Sequence, residues 1–319
     1  MIELLDLKDK KILFELEQES RQSLQQIAKK VRLRKETIFH RIKNLEKKGI
    51  IKGYLTEINN YKIGYQFYPM LLQFQDTTPE IEDEIYRYLR NDSSVSWLTR
   101  CEGAWDINLT IAAKSNSGLN QFLERFLSKY SSYIAEKQVF ITTEIHYFKR
   151  GYWLNQPTLQ TISASTEPIS TIDEVEERLL QLLSRNAREP LVKIGQTLGT
   201  SQKSVAYKIK KLEREQIIQG SRIRVDFAKL GYKFYKVWFA LKNMKEGDVK
   251  KLISFFRMQK NIIWATKLIG MYDLSIEMEV RDVEEYRKVM GAIKEKFSDH
   301  IKKQESMLIL EEATVNYFP

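Results

Sequence analysis

The sequence contains few of the residues that cross-link proteins or bind metals. It has one cysteine, Cys101, and three histidines among 319 residues. One cysteine cannot form a disulfide within the chain, and so few Cys and His side chains exclude most zinc sites. We therefore expect no metal ligands. Cys101 is expected to be a strand residue rather than a redox sensor, because no second thiol accompanies it.

Long hydrophobic runs and a basic leader are also absent. No apolar run approaches the ~18 residues that span a membrane. The first residues, Met1-Ile2-Glu3, are acidic rather than rich in lysine and arginine, unlike a secretory signal. Hydrophobic residues still make up 43% of the chain, enough for a packed core. These features predict a globular, cytoplasmic protein with no membrane partner.

The chain consists of two copies of one module. A shift of 167 residues places Asp6 on Asp173, and the same shift carries Trp97 onto Trp264. One offset without a gap preserves both apolar spacing and glycine positions, so we reject chance coincidence. The repeat is too long for a solenoid and indicates a duplicated module of two parts.

A polar segment separates the copies. Residues 153–171 contain two prolines, seven serines or threonines, and no lysine or arginine, which is typical of a linker that barely restricts docking. The chain then divides into five parts. They are a winged helix-turn-helix domain (1–55), a ferredoxin-like domain (56–152), the linker (153–171), a second winged helix-turn-helix domain (172–222) and a second ferredoxin-like domain (223–319).

The first third of each copy is predicted to form three helices and a short strand. In copy one, Ile38, Ile42 and Leu45 recur at helical spacing in the third helix, before Gly49 and a strand over residues 50–55. Copy two repeats the pattern 167 residues later. Two helices joined by a short turn, the second beginning with polar residues, form a helix-turn-helix pattern.

Positive charge is concentrated in these segments. Residues 26–54 carry ten Lys or Arg against two Glu, and residues 193–224 carry eight against two. The net charges of +8 and +6 together exceed the +10 of the whole chain, so the remainder is acidic. A solvated helix face usually mixes both signs. This concentration is instead the electrostatic footprint of phosphate binding.

The rest of each copy alternates strands and helices in the order βαββαβ, a ferredoxin-like unit. Ile107, Leu109 and Ile111 alternate with polar residues as in a strand, while Pro69 indicates an edge or a bulge. The fold class is therefore α+β, with two winged helix-turn-helix and two ferredoxin-like domains in tandem. Helices on one sheet face leave the other face open, which predicts sheet-to-sheet pairing between copies or between chains.

The run LRKETIFHRIKNLEKKGIIKGY, residues 33–54, resembles the recognition helix and following strand of Lrp/AsnC (feast/famine) transcription regulators. The turns Gly103-Ala104-Trp105-Asp106 and Gly270-Met271-Tyr272-Asp273 look like the Gly-x-Tyr-Asp turn of that family's effector (RAM) domain. This resemblance covers nearly the whole chain, twice. It implies a regulator without enzyme activity that binds double-stranded operator DNA, dimerises through its C-terminal domain and often binds amino acids or other small effectors.

The duplication departs from the family pattern, because members are usually single copies that dimerise. One chain is therefore expected to act as a covalent pseudo-dimer, with homo-oligomers forming through the ferredoxin-like domains. The candidate effector-binding residues are Gly103, Asp106, Gly270 and Asp273, although hairpin chemistry alone explains glycine and aspartate there. No cofactor besides a small effector is expected.

The candidate DNA-binding residues are the outward-facing residues of the third helices and the polar or basic residues around them. Arginine, asparagine and glutamine read base edges, whereas lysine mostly contacts phosphates. They are Arg32, Arg34, Lys35, Glu36, Phe39, His40, Lys43, Asn44 and Lys52, then Thr200, Ser201, Gln202, Lys203, Tyr207, Lys210, Lys211, Arg222 and Arg224. The two helices differ at Phe39/Ala206, His40/Tyr207 and Asn44/Lys211, which predicts an asymmetric DNA site rather than a palindrome.

Two other functions stay open on the sequence. Some paired Lrp-like proteins decarboxylate siroheme, and Arg100, His146, Tyr147 and Arg150 lie near one predicted sheet end, where they could grip propionates. That interpretation leaves the basic helix-turn-helix segments unexplained. A chromatin-like organiser would bind duplex DNA with little sequence preference. The sequence has no Walker, dinucleotide-binding, zinc-protease or serine-hydrolase motif.

Overall fold

A computed structural model describes residues 5–156, 161–165, 170–315 and 318. Copy one begins with three helices and a strand, followed by a ferredoxin-like unit. Its elements are α1 (Leu7–Gln18), α2 (Leu24–Val31), α3 (Lys35–Lys47), β1 (Ile51–Ile58), β2 (Gln66–Phe74), α4 (Pro79–Asn91), β3 (Val95–Glu102), β4 (Ile107–Ala113), α5 (Asn116–Tyr130), β5 (Ile134–Val139) and β6 (Ile141–Phe148).

Copy two repeats this order after a short connecting strand, β7 (Thr161–Ser165). Its elements are α6 (Glu174–Arg185), α7 (Leu191–Leu198), α8 (Gln202–Arg214), β8 (Ile218–Val225), β9 (Lys233–Leu241), α9 (Asp248–Met258), β10 (Ile262–Ile269), β11 (Leu274–Val280), α10 (Val283–Phe297) and β12 (Ile301–Val315). The predicted α+β tandem is confirmed. Both β1 and β8 extend past the predicted domain boundaries at 55/56 and 222/223, because the two strands pair with each other.

The winged helix-turn-helix units begin with capped helices and have apolar cores. Asp6 caps α1 by accepting a hydrogen bond from the backbone N–H of Asp9, and Asp173 caps α6 in a capping box with Glu176. The inward faces of the third helices are fully buried, as their spacing predicts. These residues are Ile38, Ile42 and Leu45 on α3, and Val205, Ile209 and Leu212 on α8.

Strands β1 and β8 form a two-stranded antiparallel sheet, which we call the wing ribbon. Its register pairs Leu55 with Arg222, which is the residue that corresponds to Leu55 in copy two. The flanking pairs, Tyr54 with Ile223 and Thr56 with Ser221, are equivalent under the 167-residue shift. A pseudo-two-fold axis therefore passes through the Leu55–Arg222 pair and relates the two recognition helices.

The two ferredoxin-like units exchange their last strands. Strand β12 pairs with β9 of its own copy along its first half and with β3 of copy one along its second half. In copy one the same path is broken into β5, which pairs with β2, and β6, which pairs with β10 of copy two. The result is one ten-stranded sheet in the order β5-β2-β4-β3-β12-β9-β11-β10-β6-β7. The predicted pairing between copies thus occurs within the chain.

The break between β5 and β6 lies at Phe140, and it explains why a proline is tolerated at position 69 of the neighbouring strand β2. Of the predicted edge or bulge at Pro69, the edge is wrong, because β2 is an interior strand between β4 and β5. Its carbonyl accepts a hydrogen bond from the backbone N–H of Phe140, where the neighbouring strand turns toward the other copy. A proline has no N–H to offer the sheet, so it is tolerated where the ladder ends. Copy two has Lys236 at this position and an unbroken β12.

The prediction that residues 153–171 barely restrict docking is wrong for the described part of that segment. Trp153 is buried within a 3-10 turn, Tyr152–Leu154. Strand β7 then pairs with β6 and adds a tenth strand to the sheet. Residues 157–160 and 166–169 lie outside the described residues. Serine and threonine are compatible with strands as well as linkers, so composition alone did not distinguish the two.

A buried ionic cluster fixes the first winged helix-turn-helix unit to copy two. Arg150, which is 6% exposed, donates to Glu279 on β11 at 2.8 Å and to Glu17 on α1 at 3.1 Å. Tyr147 donates to Glu17, and Tyr152 donates to Glu279. Burial alone would lower the pKa of Arg150, but Glu279 and Glu17 raise it above its ordinary value. The residues corresponding to Glu17 and Glu279 in the other copy are Ser184 and Ala112, so only one half carries this cluster.

We predict that Arg150→Met lowers the free energy of unfolding by about 3–5 kcal/mol, because it leaves two buried carboxylates without a cationic partner. Chemical denaturation followed by circular dichroism measures the loss. Arg257→Met, on an exposed position at the end of α9, is the matched control and should change stability little. Equal denaturation midpoints for the two variants would show that the cluster does not stabilise the fold.

Candidate nucleic-acid interface

The outward faces of both third helices are open to solvent. On α3 and the residues before it, the exposed side chains are Arg32, Arg34, Lys35, Glu36, Phe39, His40, Lys43 and Asn44. On α8 and just before it they are Ser201, Gln202, Lys203, Tyr207 and Lys210, while Thr200 and Lys211 are half-buried. Ser201 caps α8 by accepting from the N–H of Ser204 at 3.1 Å, whereas Arg34 makes no side-chain cap on α3.

Two large apolar rings are exposed on these faces. Phe39 is 44% exposed and Tyr207 is 68% exposed, one on each helix. They are not at equivalent positions, because Phe39 corresponds to Ala206 and His40 corresponds to Tyr207. The two faces therefore differ in shape as well as in hydrogen-bonding groups.

Some basic residues of the third helices are used inside the protein. Arg41 donates to Asp6 at 2.8 Å and to Asp9 at 2.7 Å. Its counterpart Lys208 contacts Asp173 at 2.6 Å. The N–H of Asp9 and then the Arg41 guanidinium lower the pKa of Asp6. Lys208 is the main cause of the lowered pKa of Asp173. These pairs hold the third helix of each unit against the N-terminus of its first helix.

Two predicted DNA contacts on the third helices are also paired within the protein, Lys43 with Glu46 at 2.7 Å and Lys211 with Glu176. Lys211 donates to the buried Glu176 at 2.8 Å, so its ammonium leans toward α6. Lys210, its neighbour, is exposed and has no ion pair among the residues that the structure describes. Sequence spacing places both lysines on the outer face of α8. They differ because Glu176 on α6 lies within reach of Lys211.

The prediction that Arg222 reaches a flanking groove is wrong. Arg222 is 5% exposed, donates to Glu57 across the wing ribbon and lies 4.6 Å above the ring of Tyr147. Arg224 is half-buried and faces a cavity beneath the ribbon. Lys52 is exposed and pairs with Asp226 at 2.9 Å. The side chains of these three residues contact other parts of the protein: Arg222 and Lys52 form ion pairs, and Arg224 lines the cavity.

The Gly-x-x-Asp turns occupy equivalent structural positions. The carboxylate of Asp106 accepts from the N–H of Phe74 at 2.7 Å, and that of Asp273 accepts from the N–H of Leu241 at 2.7 Å. Gly103 and Gly270 have φ values of +140° and +152°. The glycines supply the backbone conformation of each turn, and each aspartate ties its turn to the end of a neighbouring strand, so the fold accounts for all four candidate effector residues.

The structure also brings the two turns together at Glu305 on β12. Trp105 donates to one carboxylate oxygen of Glu305 at 2.6 Å, and Tyr272 donates to the other at 2.8 Å. Burial opposes ionisation of Glu305, but hydrogen bonds from Tyr272, Trp105 and Lys303 lower its pKa overall. Sequence analysis missed this bridge, since Glu305 corresponds to Gln138 and belongs to no motif.

The four residues weighed for propionate binding are not gathered at one site. Tyr147 and Arg150 belong to the buried ionic cluster, where Glu17 and Glu279 occupy their donors. Arg100 instead pairs with Asp83, and His146 hydrogen-bonds Ser163 and Glu144. Burial lowers the pKa of His146. The predicted shared sheet end is wrong for these residues, because β3 and β6 are separated in the sheet by four other strands, β12, β9, β11 and β10.

Cys101 lies buried in β3, as predicted for a strand residue. Burial raises the pKa of its thiol to about 11, so the protonated form dominates at neutral pH. Among the described residues no group of acidic, histidine or cysteine side chains could hold a metal ion. No described helix is long and apolar enough to cross a membrane.

Two family models match the chain, one over each helix-turn-helix unit. Residues 5–52 match a winged helix-turn-helix DNA-binding model, and residues 172–213 match the AsnC-type helix-turn-helix domain. Paired units of this type on a shared ferredoxin-like frame define a winged-helix protein of the DNA-binding class.

Curated relatives identify the family. An uncharacterised HTH-type transcriptional regulator of Pyrococcus furiosus is 34% identical over 124 residues, which are 39% of this chain and 82% of that protein. The HTH-type transcriptional regulator LrpA of Pyrococcus horikoshii is 32% identical over 135 residues, covering 38% of this chain and 95% of that protein. The chain belongs to the Lrp/AsnC family of transcription regulators, as the sequence resemblance predicts.

Among solved structures, the crystal structure of the siroheme decarboxylase NirDL has a similar fold. It superposes with a TM-score of 0.64 and covers 98% of this chain and 94% of its own. The sequences are 13% identical, so the likeness is one of fold. It extends over both copies rather than one.

We predict that Gly270→Ala destabilises the fold more than the equivalent Gly103→Ala. A positive φ costs any non-glycine residue about 1–3 kcal/mol at both positions. A Cβ on Gly270 would also lie 2.6 Å from the ring of Phe140, whereas one on Gly103 would meet nothing closer than 3.4 Å. Thermal denaturation compares the two variants. Equal losses would show that Phe140 moves aside without cost.

Proposed function

We propose that this chain is a sequence-specific double-stranded DNA-binding transcription regulator that acts as a covalent pseudo-dimer. The observation that carries the proposal is the pair of third helices, whose polar and basic faces are exposed. The wing ribbon relates these helices by a pseudo-two-fold axis through Leu55 and Arg222. Such a pair presents two recognition helices to one duplex at fixed spacing, as dimers of single-copy proteins do.

The proposal includes homo-oligomers, a small effector and action in the cytoplasm. Three apolar side chains near the copy-two Gly-x-x-Asp turn support an association surface. Ile269 is 60% exposed, Met271 is 48% exposed, and Ile141 pairs with Ile269 across β6 and β10. A cluster of this kind on a ferredoxin-like domain fits self-association through that domain.

We expect Lys210→Gln to weaken binding to all duplexes about equally and to reduce the slope of log affinity against log salt by about one. Lys210 is exposed and its charge is available to a phosphate. Lys208→Gln is the matched control, because Lys208 lies on the same helix but is paired with Asp173. Mobility-shift titrations at several salt concentrations measure both slopes. Identical effects of the two substitutions would contradict this assignment.

We expect the preferred DNA site to be asymmetric, since symmetric half-sites require identical recognition faces. Phe39 lies exposed on the outer face of α3 where Ala206 lies in α8, and Lys211 is drawn toward Glu176. Selection of bound fragments from random duplexes, followed by footprinting, gives the site. Two identical inverted half-sites bound by one chain would contradict the expectation.

The same titrations distinguish the alternative functions. A regulator binds its site at least ~10³-fold more tightly than random DNA. Equal affinity for all duplexes would identify an organiser instead. A flat salt response together with a coloured tetrapyrrole that copurifies would favour an enzyme similar in activity, as well as in fold, to siroheme decarboxylase.

A further inference from the structure

A cavity of about 170 Å³ lies on the pseudo-two-fold axis between the wing ribbon and the ten-stranded sheet. We call it the axis cavity. Its roof includes Leu55 and Arg222, the pair at the centre of the ribbon. Its floor includes the equivalent indoles of Trp97 and Trp264, one from each copy. Arg222 and Arg224, two of the candidate DNA contacts, line this cavity, but the exposed third-helix residues on which the DNA-binding proposal rests do not, so the cavity is independent of that proposal.

The two halves of the lining differ in polarity. Copy one contributes Leu55, Pro69 and Ile145, whose counterparts in copy two are Arg222, Lys236 and Glu312. A homodimer of one copy would repeat the same groups on both sides of its axis. At these three positions the tandem chain has instead apolar groups facing charged groups, and Glu57 and Arg150 bring further charge to the lining from copy one. Each of these charged residues of copy two stands at a strand position where copy one has an apolar residue.

Most charges of the lining are already paired. Lys236 contacts Glu277 at 2.8 Å, and Arg222 donates to Glu57. Arg224 differs from these residues. Its Nε is buried, lies 4.0 Å from the nearest Glu312 oxygen and has no hydrogen-bond partner among the described residues. The other oxygen of Glu312 accepts from Trp97 at 2.9 Å. Arg224 is therefore the lining cation that an entering anion would meet.

We propose that the axis cavity binds a small aromatic monocarboxylate of about the size of benzoate. An apolar cavity of about 150 Å³ holds one benzene ring, so the volume suits one aromatic ring. The ring would lie between the two indoles and the apolar side chains of Leu55, Pro69 and Ile145. The carboxylate would accept a charge-assisted hydrogen bond from the unpartnered Nε of Arg224, while Glu312 keeps its hydrogen bond from Trp97. Because the roof is the wing ribbon, the bound ligand contacts the element that joins the two recognition helices.

Titration calorimetry of the full chain with benzoate tests the site without DNA. We expect saturable binding with one site per chain. Benzyl alcohol and benzylamine, which are similar in size but neutral and cationic, should bind at least ~10-fold more weakly, because they lack the partner for Arg224. Equal or tighter binding of either compound overturns the assignment of an anion. No binding of benzoate overturns the site.

Two substitutions locate the ligand. Arg224→Gln should weaken benzoate binding at least ~10-fold. Arg214→Gln, on the exposed end of α8 and outside the cavity lining, is the matched control and should leave it unchanged. Ala164→Phe places a ring in the cavity from β7 and should abolish binding, with circular dichroism confirming the fold. Benzoate affinity that survives both Arg224→Gln and Ala164→Phe would place the ligand elsewhere and overturn the proposal.

Discussion

The exchange of last strands between the copies is the constraint on which the rest of the structure depends. Each final strand gives half of its backbone hydrogen bonds to its own sheet and half to the other copy's sheet. Neither ferredoxin-like unit can therefore complete its ladder alone, because an exposed strand end leaves N–H and C=O groups without partners. The exchange fixes the relative position of the two sheets. The wing ribbon links the two helix-turn-helix units in the same way, because β1 of copy one pairs with β8 of copy two.

Covalent duplication allows this symmetric frame to carry unequal side chains. In a homodimer, any charge placed on the axis would face its own copy, and like charges at close range repel. Here Arg222 faces Leu55 and pairs with Glu57, and Arg150 joins Glu17 to Glu279 in one half only. The buried ionic groups can therefore differ between the halves without a change of fold. The outer faces of α3 and α8 can likewise carry different side chains in the two copies.

Much of the fold could be predicted from the sequence because the signals are local. The apolar spacing of Ile38, Ile42 and Leu45 defines the buried face of α3, and the 167-residue repeat carries the pattern to α8. The linker prediction failed because the segment's own composition does not show that β7 pairs with the preceding strand β6. For the candidate site, the exposure of a side chain could be predicted where it follows from helix periodicity, as for Lys43 and Lys210. The prediction failed at Arg222, whose surroundings come from three separate strands.

The sequence by itself determined the duplication, the order of elements, the buried faces of the recognition helices and the family. The duplication follows from one constant offset of 167 residues, and the other features depend on apolar periodicity and on motifs within short stretches of sequence. Only the tertiary structure decided which lysines and arginines of the third helices remain available to a DNA phosphate. Lys208 and Lys210 are two residues apart, yet one meets Asp173 and the other meets solvent. It also decided that both copies share one sheet and enclose a cavity on their axis. A charge's partner and a strand's neighbour are set by distances in space, which spacing along the chain does not encode.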